Sequence, residues 1–133
     1  MPYGNLNVDV VQSSTAGTPV QFNDGNGTQV GTLCRAWVNF NGASPSAING
    51  SFNVSSVTYS TTGRYVVNFS TAMSNANYSP VISGCGPGAY SNQFLTSLTA
   101  GQTLSVNSFG ISTGNSTNNA SADASFIAVA VFR

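Results

Sequence analysis

Acid–base or ionic chemistry in this sequence would depend on three aspartates and three arginines, because histidine, lysine and glutamate are absent. The charged residues are Asp9, Asp24, Asp123, Arg35, Arg64 and Arg133. A serine or cysteine nucleophile needs a neighbouring base, most often histidine, and glycoside hydrolysis needs two carboxylates facing one bond. Asp24 fits a turn and Asp9 an exposed strand position, which argues against such a carboxylate pair. We therefore expect a non-enzymatic protein without catalytic residues.

Metal and phosphate sites are also disfavoured. Cys34 and Cys85 are separated by about fifty residues, with no CxxC pair and no histidine, unlike zinc ligands. The two thiols can form a disulfide if their strands meet, but two buried free thiols are the favoured interpretation. Asp24-Gly25-Asn26-Gly27 lacks the later acidic ligand of a calcium loop, and Gly84-Cys85-Gly86-Pro87-Gly88 lacks the lysine of a phosphate loop. We expect neither a cofactor nor a metal.

The composition indicates a neutral surface rich in amides and hydroxyls. Charged residues make up 5% of the 133 residues, with a formal net charge of zero, against about 25% in an average domain. Without a basic face the chain has little to hold phosphates, which argues against nucleic acid and anionic membranes as partners. The start Met1-Pro2-Tyr3-Gly4-Asn5 does not resemble a signal peptide, and no apolar stretch approaches membrane-spanning length. We expect synthesis in a cytoplasm and no membrane insertion.

Short strands separated by turns dominate the sequence, and glycines interrupt almost every window in which a helix could form. Disorder is disfavoured because eight Phe and five Tyr recur among many Val. The predicted strands are Leu6 to Val11, Pro19 to Phe22, Leu33 to Phe40, Ser51 to Tyr59, Arg64 to Phe69, Tyr78 to Cys85, Tyr90 to Leu98, Thr103 to Ile111 and Ala124 to Phe132. This spacing predicts an all-β fold, with a single antiparallel, jelly-roll-like β-sandwich over residues 31–133.

Residues 1–30 are predicted to form a short extended attachment segment ahead of the sandwich. The residues expected to make its contacts are Tyr3, Leu6, Val8 and Val10.

Two strands have apolar residues on faces that the core alone does not explain. The strand from Leu33 to Phe40 is expected to turn Cys34, Ala36, Val38 and Phe40 inward, which leaves Trp37 to cap a sheet edge or fill a subunit contact. The final strand is apolar on both faces. One face carries Phe126, Ala128, Ala130 and Phe132, and the other carries Ile127, Val129 and Val131. Either a central position in the sandwich or a subunit contact on one face would cover it.

Several strings within the predicted strands resemble those of a known class of proteins. The strings are Cys34-Arg35-Ala36-Trp37-Val38-Asn39-Phe40-Asn41-Gly42, Ser51-Phe52-Asn53-Val54-Ser55-Ser56-Val57, Gly63-Arg64-Tyr65-Val66-Val67-Asn68-Phe69-Ser70-Thr71-Ala72-Met73, Asn77-Tyr78 and Phe126-Ile127-Ala128-Val129-Ala130-Val131-Phe132-Arg133. In these strings the chain resembles small virion proteins of tailed bacteriophages, especially phages of aquatic bacteria including cyanobacteria. The chain departs from that class in being far shorter than a usual tail fibre, and in having Arg64 where an acidic or polar turn residue is expected.

The resemblance implies a β-rich structural protein, a homotrimer displayed on a virion, with no catalytic residues. Its expected partners are copies of itself and other virion proteins of the tail or capsid. The expected subunit or virion contacts are Arg35, Trp37, Arg64, Phe126, Ala128, Ala130, Phe132 and Arg133. A tail-fibre-like, host-facing role is favoured over the alternative of a capsid decoration (cement) protein or head fibre.

A glycan-binding, lectin-like module is a further alternative, because sugars stack on aromatic rings and form hydrogen bonds with Asn and Ser side chains. Aromatic residues of the Tyr90 and Phe109 loops are the candidates for such stacking. The residues expected on outward-facing loops are Tyr90, Asn92 and Asn115, and the partner that this alternative implies is a host cell-surface glycan.

Overall fold

The computed structural model describes residues 8–15, 20–43, 45–86, 94–100 and 104–133. These residues form strands, turns and loops, and none of them belongs to a helix that could cross a membrane. The chain divides between Leu33 and Cys34 into two compact units. In their described parts, the first unit contains a two-stranded sheet and the second contains two four-stranded sheets.

The first unit contains an antiparallel hairpin of β1 (Gln21–Asn23) and β2 (Gln29–Thr32). Asp24 closes its turn, because its Oδ1 accepts hydrogen bonds of 2.9 Å from the backbone N–H groups of Asn26 and Thr28. Gly27 completes the turn with a φ of 82°, which glycine adopts without a steric penalty. The prediction of turn geometry at Asp24 is confirmed.

The predicted strand from Leu6 to Val11 is wrong over its described part. Residues 8–13 form no strand, and Val8, Val10 and Val11 are all more than half exposed. A strand is held by a hydrogen-bonded neighbour and by burial of one face, and this segment has neither. Tyr3 and Leu6 lie outside the described residues.

The second unit, Cys34–Arg133, is an antiparallel β-sandwich, which confirms the predicted fold class. One sheet, called the first sheet, has the strand order β4-β3-β10-β7, and the other, called the second sheet, has the order β5-β6-β9-β8. The strands are β3 (Cys34–Asn41), β4 (Ala47–Phe52), β5 (Val54–Thr61), β6 (Arg64–Phe69), β7 (Ser79–Cys85), β8 (Phe94–Leu98), β9 (Ser108–Asn115) and β10 (Phe126–Phe132).

The core lies between the two sheets and is built from alternate residues of the central strands. The buried side chains of the first sheet are Ala36, Val38, Phe40, Ile127, Val129 and Val131, and those of the second are Val54, Tyr65, Val67, Phe69, Phe109, Ile111 and Thr113. Rings of the two sheets meet directly, since the centroids of Phe40 and Tyr65 lie 5.4 Å apart in an edge-to-face arrangement. The inward face predicted for β3 is confirmed at Ala36, Val38 and Phe40. Cys34 is only half-buried, because a shift in the pairing register interrupts the alternation at the start of β3.

The predicted strand from Ser51 to Tyr59 is broken at Asn53, where the chain passes from the first sheet to the second. Asn53 has a φ of 54°, a left-handed conformation that Asn tolerates better than most residues. Its side-chain N–H donates to the carbonyls of Arg35 and Thr71, both at 3.2 Å, and its Oδ1 accepts from Thr71 N at 2.8 Å. Apolar and polar residues continue to alternate through this corner, so the sequence alone predicts one long strand.

The predicted strand from Thr103 to Ile111 is displaced towards the C-terminus. β9 begins at Ser108 because Ser105 forms a turn: its backbone N–H bonds the carbonyl of Ser108 at 3.0 Å, and its hydroxyl accepts from Ser108 N at 3.2 Å. Serine side chains compete in this way with strand pairing. Phe109 is consequently 2% exposed, inside the core, and its predicted position on a glycan-binding loop is wrong.

The two cysteines lie at opposite ends of β10. Cys34 pairs with Phe132 and Cys85 with Phe126, so about six residues of extended strand, roughly 20 Å, separate them. A disulfide needs Cα atoms about 4.4–6.8 Å apart. Both thiols are free and half-buried rather than fully buried. No three His, Cys, Asp or Glu side chains of the described segments lie close enough together to hold a metal ion.

Candidate functional site

The outer face of the first sheet carries a row of apolar side chains. Trp37 on β3 lies opposite Phe52 on β4 and opposite Ala130 on β10, and Ala130 lies opposite Val81 on β7. Directly opposite residues of an antiparallel pair project to the same side of a sheet. The neighbouring residue Val38 points into the core, so this row projects away from it.

The apolar surface continues along β10, and we call the whole the apolar face. Its members are Trp37, Phe52, Val81, Phe126, Ala128, Ala130 and Phe132. The exposed fractions are 41% for Trp37, 56% for Phe52, 58% for Val81, 41% for Phe126 and 37% for Phe132. These fractions correspond to roughly 450 Å² of exposed apolar surface, which falls within the range of the largest patch on a typical monomer and is often functional.

Glycine makes room for the indole on this face. The ring of Trp37 lies over Gly50 of β4, where an added Cβ would be 3.4 Å from Cη2 and Cζ3. The indole therefore lies along the sheet surface between β3 and β4. In that position it presents a broad apolar surface outward.

Two arginines lie at the end of the sheet where β3 begins and β10 ends. Arg35 is the extra residue of a β-bulge, because Val131 pairs with Ala36 and Phe132 with Cys34. Arg133 follows β10 and donates from Nε to Asn75 Oδ1 at 3.1 Å, and from a terminal nitrogen to Ser74 Oγ. These cations lie at the rim of the apolar face.

The predicted contact residues are divided between the two sheets. Those on β3 and β10, together with Arg133, come together around the apolar face, whereas Arg64 lies on the second sheet. Phe52 and Val81 were not predicted as contacts, because their orientation depends on the pairing of β4 and β7 with the central strands. Tyr90 and Asn92 lie outside the described residues.

The outer face of the second sheet is polar. Arg64 on β6 lies opposite Ser112 on β9, which lies opposite Ser97 on β8. The next residues along these strands, Tyr65 and Ile111, are fully buried, so Arg64, Ser112 and Ser97 project away from the core. A sequence rich in serine contains no signal that distinguishes these two serines from the others.

A surface depression of about 180 Å³ lies at the Ser112 and Ser97 end of this row, and Arg64, opposite Ser112, flanks it without lining it. It is lined by Leu95, Ser97, Ser112, Thr113, Gly114, Asn115, Asn119, Ala120 and Ser121. Asn115, predicted to lie on an outward-facing loop, is therefore part of its wall at the end of β9. In the described part of the chain, the Ser97 and Ser121 hydroxyls and the Asn119 amide make no hydrogen bond, so their polar atoms are available to a ligand.

Asp123 has a structural role beside the core. Its Oδ1 accepts from Gly63 N at 2.7 Å and from the Tyr65 hydroxyl at 3.2 Å, and its Oδ2 accepts from the Tyr59 hydroxyl at 3.1 Å. The Tyr65 oxygen in turn accepts from Ala124 N at 3.3 Å. This carboxylate joins the turn of the β5–β6 hairpin to the segment that precedes β10.

Burial raises the pKa of Tyr65 above its usual value, and the negative charge of Asp123 raises it further, although hydrogen bonds from Thr113 and Ala124 act in the opposite direction. Burial also raises the pKa of Tyr78, whose hydroxyl donates to Ser105 O at 2.9 Å. Both phenols therefore favour the protonated form in the folded chain.

We expect the free energy of unfolding to fall as the pH rises above about 10, the pKa of tyrosine in an unfolded chain. Above that pH the unfolded chain releases protons that folded Tyr65 and Tyr78 retain, so folding binds protons and alkali opposes it until the raised folded pKa values are reached. Urea unfolding at a series of alkaline pH values, with phenolate absorbance recorded in parallel, measures this. In the Tyr65→Phe/Tyr78→Phe double variant the free energy of unfolding should depend less steeply on pH. An equally steep dependence in that variant would show that these two tyrosines do not cause it.

Comparisons with protein-family models, with curated proteins and with solved structures found no match to this chain. The observations that bear on function are therefore the two outer faces of the sandwich, one apolar and one polar.

Proposed function

We propose that this protein is a non-enzymatic structural protein of a bacteriophage virion, a tail-fibre-like homotrimeric appendage whose subunits meet through the apolar face. The apolar face is the observation that carries self-association. The resemblance of the strands to small virion proteins of tailed phages suggests the particle and the trimer. In this proposal residues 1–30, which belong to the first unit, are the attachment segment.

The size of the apolar face suits a stable subunit interface. A standard interface buries about 800 Å² on each partner, of which about 56–65% is apolar, or about 450–520 Å². The exposed side chains of the apolar face supply roughly 450 Å². Large aromatic residues such as Trp37 and Phe52 are also enriched among the residues that dominate binding energy.

The scarcity of charge favours the same conclusion. Taking an unpaired ion out of water costs several kcal/mol, and the members of the apolar face carry no charge. Arg35 and Arg133 lie at its rim, where arginine retains access to water or to acceptors of a neighbouring copy. A surface of this kind can be covered by neighbouring copies of the chain without burying unpaired ions.

We expect the wild-type chain to be a trimer at micromolar concentration, and Trp37→Ser to shift it towards monomer. Loss of a central aromatic anchor typically costs 2 kcal/mol or more at an interface, about thirtyfold or more in the dissociation constant. Size-exclusion chromatography with light scattering reports the mass against the subunit mass of 13.6 kDa. Trp37 is the only tryptophan, so a blue shift of its emission with rising concentration would report burial of this face directly.

Phe22→Ser is the matched control. Phe22 is 48% exposed on β1 of the first unit, so its replacement removes a similarly exposed aromatic ring that is not part of the apolar face. The Phe22→Ser variant should form the same trimer as the wild-type chain at the same concentration. A wild-type chain that stays monomeric at micromolar concentration, or a Trp37→Ser variant that assembles like wild type, would refute the proposed interface.

The position in the particle distinguishes the tail-fibre-like role from capsid decoration. Antibody labelling of phage particles in electron micrographs should mark the tail, and purified protein should bind host cells but not undecorated capsids. Label confined to the head, with uptake by undecorated capsids, would support the decoration role instead. An absence of label on particles would refute a virion location.

A further inference from the structure

We infer that the depression on the outer face of the second sheet binds an acidic saccharide, with Arg64 holding a sugar carboxylate and the surrounding serine and asparagine side chains bonding its hydroxyls. This site is separate from the apolar face, because the two lie on opposite outer surfaces of the sandwich. The inference does not depend on the subunit interface proposed above.

Arg64 has no hydrogen-bond or ion-pair partner within the described part of the chain. Its neighbours in the row are Thr61 on β5 and Ser112 on β9, which carry no charge. The nearby Asp123 carboxylate already accepts three hydrogen bonds. A guanidinium has five N–H donors in a planar fork that matches a carboxylate, so a half-buried arginine whose cross-strand neighbours are neutral is suited to hold an anion.

The depression next to Arg64 is lined by both polar and apolar side chains. The unpaired hydroxyls of Ser97 and Ser121 and the unpaired amide of Asn119 can each donate and accept hydrogen bonds. Leu95, 53% exposed, adds an apolar surface to the same depression. Pyranose rings combine hydroxyl groups around their edge with apolar C–H faces. An apolar surface with a few convergent polar groups is the usual composition of a small-molecule site.

Backbone contacts hold the wall of the depression in place. Asn115 N donates to Ala120 O at 2.9 Å, and Gly114 forms an isolated bridge with Ser121. Gly114 permits this approach, since a Cβ there would lie 2.7 Å from the carbonyl oxygen of Ala120. Asn119 is fixed in the left-handed region with a φ of 53°. The backbone that carries these polar groups is therefore positioned before any ligand binds, which lowers the entropic cost of binding.

Uronic acids and their neutral hexoses form the matched probes, because they differ only by a carboxylate in place of a hydroxymethyl group. We would titrate glucuronate, galacturonate and mannuronate, and then glucose, galactose and mannose, into the full-length chain and follow backbone amide shifts by NMR. Arg64→Gln tests the cation. Arg35→Gln is its control, since it removes the same charge from a half-buried arginine at the rim of the apolar face.

At least one uronate is expected to shift the backbone amide NMR signals of Ser97, Ser112 and Asn119. Its neutral hexose is expected to bind more weakly, by a factor of about ten or more. Arg64→Gln should weaken uronate binding by a similar factor, while the NMR spectrum of the variant stays otherwise like that of the wild type. Arg35→Gln should bind the uronate within about twofold of the wild-type affinity. The inference is overturned if no uronate shifts these amides in the tens of millimolar, if hexoses bind equally well, or if Arg64→Gln binds like wild type. Light scattering on the same variants reports trimer formation separately, so failure of this site and failure of the subunit interface give different results.

Discussion

Replacing Gly63 by alanine is expected to lower the free energy of unfolding by about 3 kcal/mol or more, the sum of a backbone and a packing cost. Gly63 has a φ of 66° in the turn between β5 and β6, which costs a residue with a side chain about 1–2 kcal/mol. A Cβ at this position would also lie 2.3 Å from Thr113 O and 2.9 Å from Ala122 N. These atoms belong to backbone that is held by other hydrogen bonds, so relief of the clash requires the turn to move.

Gly50→Ala is the control in the same unit, and urea unfolding followed by circular dichroism measures both variants. The added methyl group at Gly50 would meet only Trp37, at 3.4 Å, and Gly50 does not have a positive φ. We expect a change within about 0.5 kcal/mol. Equal stability of the Gly63→Ala and Gly50→Ala variants would show that the turn is not constrained as described.

Removing the Asp123 carboxylate in Asp123→Ala is expected to cost about 3 kcal/mol, because three donors lose an ionised acceptor. The donors are Gly63 N and the hydroxyls of Tyr59 and Tyr65. Tyr65 is fully buried, and leaving a buried donor unpaired costs about 1–3 kcal/mol by itself. Loss of this acceptor also frees the hairpin turn from the segment that leads into β10.

Asp24→Ala is the comparison variant, because it removes the same charge from a carboxylate that accepts two backbone hydrogen bonds in an exposed turn. Water can replace a lost acceptor there, so the expected cost is about 1 kcal/mol or less. Tyr59→Phe should fall between the two, since it removes one of the three donors. A smaller loss for Asp123→Ala than for Asp24→Ala, measured by thermal and urea unfolding, would contradict a structural role for Asp123.

Strand assignments succeeded where residue alternation and turn chemistry agree. β3, β6 and β10 alternate between buried and less buried positions, and the inward positions predicted for β3 at Ala36, Val38 and Phe40 are buried in the sandwich. Assignments failed where alternation continues through a corner, as at Asn53, or where serine side chains form a turn, as at Ser105. The segment of Val8 and Val10 alternates without forming a strand, because alternation alone does not supply a neighbouring strand.

The candidate sites were predictable to different degrees. Trp37 and the outer residues of β10 were identified because apolar residues on a second strand face are unusual. Phe52 and Val81 were not, since their side depends on which strands pair with β3 and β10. The depression beside Arg64 was missed for a related reason: Ser97, Ser112 and Ser121 are far apart in sequence and belong to the commonest residue types of this chain.

The sequence by itself determined the fold class of the protein. The absence of histidine, lysine and glutamate limits the available acid–base chemistry, and alternating apolar residues between turns favour a sandwich whatever the order of its strands. Only the tertiary structure decided that Trp37 joins Phe52, Ala130 and Val81, and that Arg64 faces the opposite side. The physical reason is that strand pairing is non-local. Register and strand order determine which residues become neighbours across a sheet, and they are selected by burial of the whole core rather than by any short stretch of sequence.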